Sequence, residues 1–121
     1  MSVFKPLSEI TPLPIWQGVL ARAVEGAEMT FGVIELDAYA VVAEHRHPNE
    51  QIGIVLTGTL TFTVGGETRE LRAGDTYVIP ANVPHDAVAG AAGTVVIDVF
   101  APTRADWTRF NAVAASTPRW P

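Results

Sequence analysis

Glycine and proline interrupt this chain so often that no long helix has room to form. Ten glycines and nine prolines are spread through 121 residues. The stretches between them are short and rich in β-branched side chains, a pattern that favours strands. Nine runs read this way: residues 15–24, 29–36, 39–43, 51–56, 59–64, 67–71, 76–79, 85–88 and 94–100. Gly65-Gly66 sits between two alternating runs and signals a two-residue hairpin. Short strands with turn signals between them predict an all-β fold, an antiparallel sandwich or barrel. Only 104–112 reads as helix, with Thr103 as its cap and Asp106 completing a variant of the capping box. Pro102, just before it, helps to stop the preceding strand.

The length suits one domain over 1–121, large enough to bury a real core. With 48% hydrophobic and 17% charged residues, the chain is not a disordered one. It has no cysteine, which excludes disulfide scaffolds, thiolate zinc sites, iron–sulfur clusters and cysteine nucleophiles. The net charge is −5, and seven of the eight basic residues are arginines scattered from Arg22 to Arg119. Nucleic-acid binding needs a concentrated basic patch, and there is none. The longest charge-free stretch, 51–66, is 16 residues broken by threonines and glycines, too short and too polar to span a membrane. The first residues lack the apolar core of a signal peptide. A soluble, cytoplasmic protein is expected. The tail 117–121 should be extended, and an exposed Trp120 would favour packing on a partner subunit.

All three histidines fall in two places, His45-Arg46-His47 and His85. In an extended strand residues 45 and 47 share a face, so two imidazoles can converge on one ion. Pro48 favours an extended backbone at His47 and begins a turn. Beyond it Gln51 offers an oxygen ligand, with Glu50 as the rival carboxylate one residue earlier. Strand parity turns Glu50 away from the histidines, though a turn intervenes. A lone histidine is usually an ordinary hydrogen-bonded residue. A His-x-His pair followed by a third histidine after a proline turn points instead to a metal site. On the same parity Arg46 points outward, and Asp86 faces away from the ion.

These residues resemble the two motifs of the cupin family. Residues 39–58 resemble the first, with His45-x-His47, Gln51 and Gly58; Tyr39 stands where the family has glycine, and Gln51 where it usually has glutamate. Residues 74–89 resemble the second, with Gly74, Pro80, Asn82 and His85. Asn82 replaces a usual glycine and Ala89 a usual asparagine. The resemblance implies a cupin (jelly-roll) β-barrel, a homodimer, and one divalent metal ion held by His45, His47, Gln51 and His85. Zinc, nickel, iron or manganese would all suit such a set. Neutral ligands leave the ion its full charge, which favours polarising an oxygen over activating dioxygen.

Residues 98–107 resemble the C-terminal strand and turn of KdgF-type cupins, which ketonise the 4,5-unsaturated uronates released by pectin and alginate lyases. That resemblance implies roles for Asp98, Phe100 and Arg104. A carboxyl facing an apolar cavity is pushed toward its neutral form, which suits Asp98 for proton transfer. Arg104 can grip a uronate carboxylate with its two-pronged guanidinium, and Phe100 can wall a sugar ring. Each has a plainer reading: Asp98 bonding backbone amides, Phe100 as core, Arg104 pairing with Asp106. The expected function is metal-dependent isomerisation of a small anionic sugar. The alternatives are a metal-dependent dioxygenase or lyase on another small acid, and a binding cupin without turnover.

Overall fold

The computed structural model describes residues 2–121. Eight strands follow in chain order: β1 (Leu13–Trp16), β2 (Val19–Glu25), β3 (Thr30–Leu36), β4 (Val41–His45), β5 (Glu50–Val64), β6 (Glu67–Arg72), β7 (Thr76–Ile79) and β8 (His85–Ala101). Every pairing among them is antiparallel. The strand count differs from the nine runs read from sequence. The run 15–24 is split by a turn at Gly18, whereas 51–56 and 59–64 fuse into β5, and 85–88 and 94–100 fuse into β8.

The fusions create the barrel. Thr57-Gly58 reads as a stop but acts as a bend: the β5–β8 register slips between Val55 and Thr57 and again between Gly58 and Leu60. Bulges add twist and turn a strand through a corner. Gly58 has φ +74, and a Cβ there would collide with the carbonyl oxygen of Gly93, so no other residue fits where the two long strands cross. Beyond the corner β5 and β8 stay paired but enter a second layer. The layer β1-β2-β3-β8-β5-β7 uses the first half of β5 and the last half of β8, and the layer β4-β8-β5-β6 uses the other halves. Apolar side chains fill one end of the space between them, including Val19, Ala21, Val55, Leu60 and Ile79, each no more than 2% exposed. The Gly65-Gly66 hairpin forms as expected, with both φ values positive and Val64 opposite Glu67.

The expected helix over 104–112 is a five-residue 3-10 turn, Ala105–Arg109, preceded by Arg104 and capped by no side chain. The Asp106 carboxylate is taken by the Arg104 guanidinium. Phe110 is already extended, and the Val113 amide donates to the carbonyl of Pro12 (3.0 Å). The chain therefore leaves the turn and runs on as a strap.

That strap closes over a buried ion pair. Arg22 and Glu35, on the outer faces of β2 and β3, are 0% and 4% exposed and meet at 2.7 Å. The second terminal nitrogen of Arg22 donates to the carbonyl and the hydroxyl of Ser116, both at 2.9 Å. The Arg119 amide donates to Glu35 (2.8 Å), and its guanidinium pairs with Asp37. Trp120, expected to seek a partner subunit, is half-buried within its own chain. Among the described residues no helix is long and apolar enough to cross a membrane.

Candidate metal centre

β4 and β8 pair so that His45 lies directly opposite His85. His47 follows two residues beyond His45, fixed by a bond from the Asn82 amide to its carbonyl (2.8 Å). The three imidazoles converge, with one candidate ligand atom from each lying within 4.8 Å of the others. Asn49 is buried behind His47, its amide donating to the carbonyls of Pro102 (2.6 Å) and Thr103 (3.1 Å).

The tautomers follow from the backbone. His45 Nδ1 is 2.8 Å from the carbonyl oxygen of Ala43, His47 Nδ1 3.0 Å from that of Asn49, and His85 Nδ1 2.8 Å from that of Val83. A carbonyl only accepts, so each Nδ1 carries the proton and each neutral ring offers the Nε2 lone pair. Burial lowers the pKa of His47, helped by the nearby Arg104 charge, and lowers that of His85 to about 4. The rings of His47 and His85 are therefore neutral near pH 7.

Neutral rings leave two oddities that a cation resolves. His85 Nε2 is buried and has no hydrogen-bond partner among the described residues. His47 Nε2 faces the side-chain oxygen of Gln51 at 3.1 Å, which sets one lone pair against another. An ion between them would satisfy both, and three nitrogens with one oxygen form a set that divalent transition metals accept. These residues fit a metal. Glu50, the rival to Gln51, is exposed and outside the cavity.

The histidines and Gln51 line one end of a cavity of about 390 Å³, walled also by Trp16, Phe62, Tyr77, Asp98, Phe100 and Arg104. Asp98 is 4% exposed. Burial raises its pKa to about 6, against the opposing pull of hydrogen bonds from Tyr77 and Gln51 and of the Arg104 charge. Tyr77 donates to Asp98 Oδ1 at 2.5 Å, and burial first, then the Asp98 charge, holds its own pKa well above 10. Its hydroxyl is a permanent donor.

The plainer reading of Arg104 holds, since it pairs with Asp106. Its side chain lines the cavity, yet Nε and one terminal nitrogen are forked onto Asp106 at 3.0 and 2.9 Å. The guanidinium carbon also stands 4.7 Å from the Phe100 ring centre and 4.8 Å from that of Trp107. Phe100 is 2% exposed and supports Arg104 from within the core. Arg46 and Asp86, turned away on strand parity, both border the cavity. Arg46 is exposed, as expected of a residue turned outward. The Asp86 side chain is half-buried at the cavity rim, and nothing in the structure explains its departure from parity.

Sequence reasoning missed Tyr77, Trp107 and Asn49. Tyr77 and Trp107 look like ordinary core aromatics, and Asn49 looks like a turn residue after Pro48. No local signal distinguishes them.

Comparison with known proteins agrees with this fold. A cupin domain family model matches residues 32–100. The pectin degradation protein KdgF of Dickeya dadantii is 38% identical over 69 residues, covering 56% of this chain and 63% of that protein. H2HPP isomerase of Bacillus subtilis is 47% identical over 47 residues, covering 38% of this chain and 20% of that protein. The chain thus spans less than two-thirds of either curated relative. The structure of KdgF from a Halomonas species superposes with a TM-score of 0.80 at 30% identity, covering 88% of this chain and 98% of that one. The barrel expected from the sequence motifs is the barrel observed.

Proposed function

The chain belongs to the cupin domain family, and on that premise we propose that it is a metal-dependent enzyme that ketonises 4,5-unsaturated uronates. Its likeness to the KdgF proteins of Dickeya and Halomonas supports the substrate class. The observation that carries the reading is the cavity itself, which is lined by three converging imidazoles and by a buried carboxyl with its pKa raised to about 6.

His45, His47, Gln51 and His85 would hold one divalent ion, which when bound supplies Lewis acidity to substrate oxygens. Ketonisation adds a proton to ring carbon 4 and removes one from the anomeric hydroxyl. The bond between carbon 1 and the ring oxygen breaks, and carbon 5 becomes a carbonyl. No electrons are gained or lost. Asp98 is suited to give the proton to carbon, because near neutrality it is present in both protonation states. Arg104 keeps Nη1 outside its fork with Asp106, and in this reading that nitrogen binds the uronate carboxylate. Phe100 and Trp107 hold the guanidinium in place by stacking.

The test is to load the protein with zinc, nickel, iron or manganese and to add 4,5-unsaturated galacturonate or mannuronate. Loss of the enol ultraviolet band should be accelerated by at least one metal form and abolished by chelation. No acceleration over buffer with any of the four would refute the substrate class. Oxygen consumption in the same cuvette would point to a dioxygenase instead.

A further inference from the structure

Tyr77 and Asp98 are on strands that do not touch. β7 and β8 each pair with β5, where Gly53 stands opposite Tyr77 on one side and Asp98 on the other. Two strand spacings, roughly 9–10 Å, separate the flanking backbones. The Tyr77 hydroxyl nevertheless reaches Asp98 Oδ1 at 2.5 Å. The two side chains meet over Gly53, where a Cβ would overlap both the Asp98 oxygen and the Tyr77 hydroxyl. Gly53 is not in the left-handed region, so the glycine is needed for space and not for conformation. Phe62 stacks edge-on against Tyr77 with ring centres 4.8 Å apart and fixes its plane.

We propose that Tyr77 is a positioning residue that aims Asp98 through the gap at Gly53. The hydroxyl donates and so occupies Oδ1 as an acceptor. With Oδ1 held by Tyr77, the carboxyl is fixed about its Cβ–Cγ bond and meets a ligand in the cavity in one orientation. A carboxyl free to rotate would present either oxygen. The inference rests on the proposed ketonisation only for its kinetic consequence; the hydrogen bond and the gap stand without it.

Two variants of the full chain test it. Y77F removes the donor and keeps the ring against Phe62. G53A keeps both partners and inserts a methyl group between them; the atoms it would strike are the ends of two side chains, so the pair parts while the strands stay. The chain has two tyrosines, and Tyr39 is 67% exposed, so its hydroxyl proton exchanges with water. Proton NMR of the metal-free wild type should show a single tyrosine hydroxyl resonance, far downfield of the amides. Both variants should lose it while keeping the wild-type melting temperature within a few degrees and the same metal content. In turnover of 4,5-unsaturated galacturonate, kcat should fall about 100-fold in each variant, with KM unchanged within about twofold.

Absence of the resonance from the wild type, or its survival in G53A, would overturn the proposal. So would an unchanged kcat in a variant that has lost the resonance, or a loss expressed in KM alone. Should the wild type turn over no unsaturated uronate, that failure belongs to the substrate assignment, and the resonance in the three proteins still decides the positioning claim.

Discussion

Asp98→Asn is expected to lower kcat by about 10³-fold while making the metal-free protein more stable above pH 6. Both effects come from the same burial. Asp98 lies in the cavity wall with a pKa of about 6, against 3.8 for an exposed aspartate, and burial is the main cause. Its folded-state pKa is raised, so the folded protein holds its proton more tightly than the unfolded chain does. Stability from this group is full below about pH 4 and is lost as pH rises toward 6. A shift of this size corresponds to about 3 kcal/mol. Asparagine carries no charge at any pH and keeps an oxygen for the Tyr77 hydroxyl. Urea denaturation of the metal-free proteins should give Asp98→Asn an advantage of about 3 kcal/mol at pH 7.5 that is nearly gone at pH 4. A variant with full kcat would show that Asp98 moves no proton. A variant equally destabilised at both pH values would show that its role is packing.

Arg22→Ala is expected to cost about 3–5 kcal/mol of stability, because it leaves the Glu35 carboxylate buried without its closest partner. It also frees Ser116 from the two bonds that hold the C-terminal strap. Cleavage by a protease after Phe110 should therefore speed up along with the loss of stability. Replacing the pair together, as Arg22→Met with Glu35→Leu, should cost much less, since no charge is then stranded. A single-variant loss below about 1 kcal/mol would mean that the pair is solvated in solution.

The histidines could be found from sequence because their geometry is local. A two-residue spacing on a strand, and a third imidazole after a proline turn, carry their own direction. The barrel could be read because glycine and proline leave only short apolar runs, although Thr57-Gly58 looked like a strand end. Whether such a glycine ends a strand or bends it depends on the partner strand, here the close passage of Gly93. Arg22 and Glu35 look like solvent-facing strand residues, and they are buried only because the chain returns more than 80 residues later to cover them. Tyr77 is hidden for a similar reason: its bond to Asp98 depends on three strands in register and a missing side chain between them. The segment after Pro102 has good capping chemistry, but the Arg104–Asp106 fork and the Val113–Pro12 bond compete with a helix and prevail.

The most direct test of the function is to run the reaction in deuterium oxide. Metal-loaded protein with 4,5-unsaturated galacturonate should give the open-chain ketone with one deuterium at carbon 4, on a single face, at a rate proportional to protein. That outcome is expected when the proton comes from an Asp98 carboxyl held in one orientation. Deuterium divided equally between the two faces, at the rate seen in buffer alone, would contradict it.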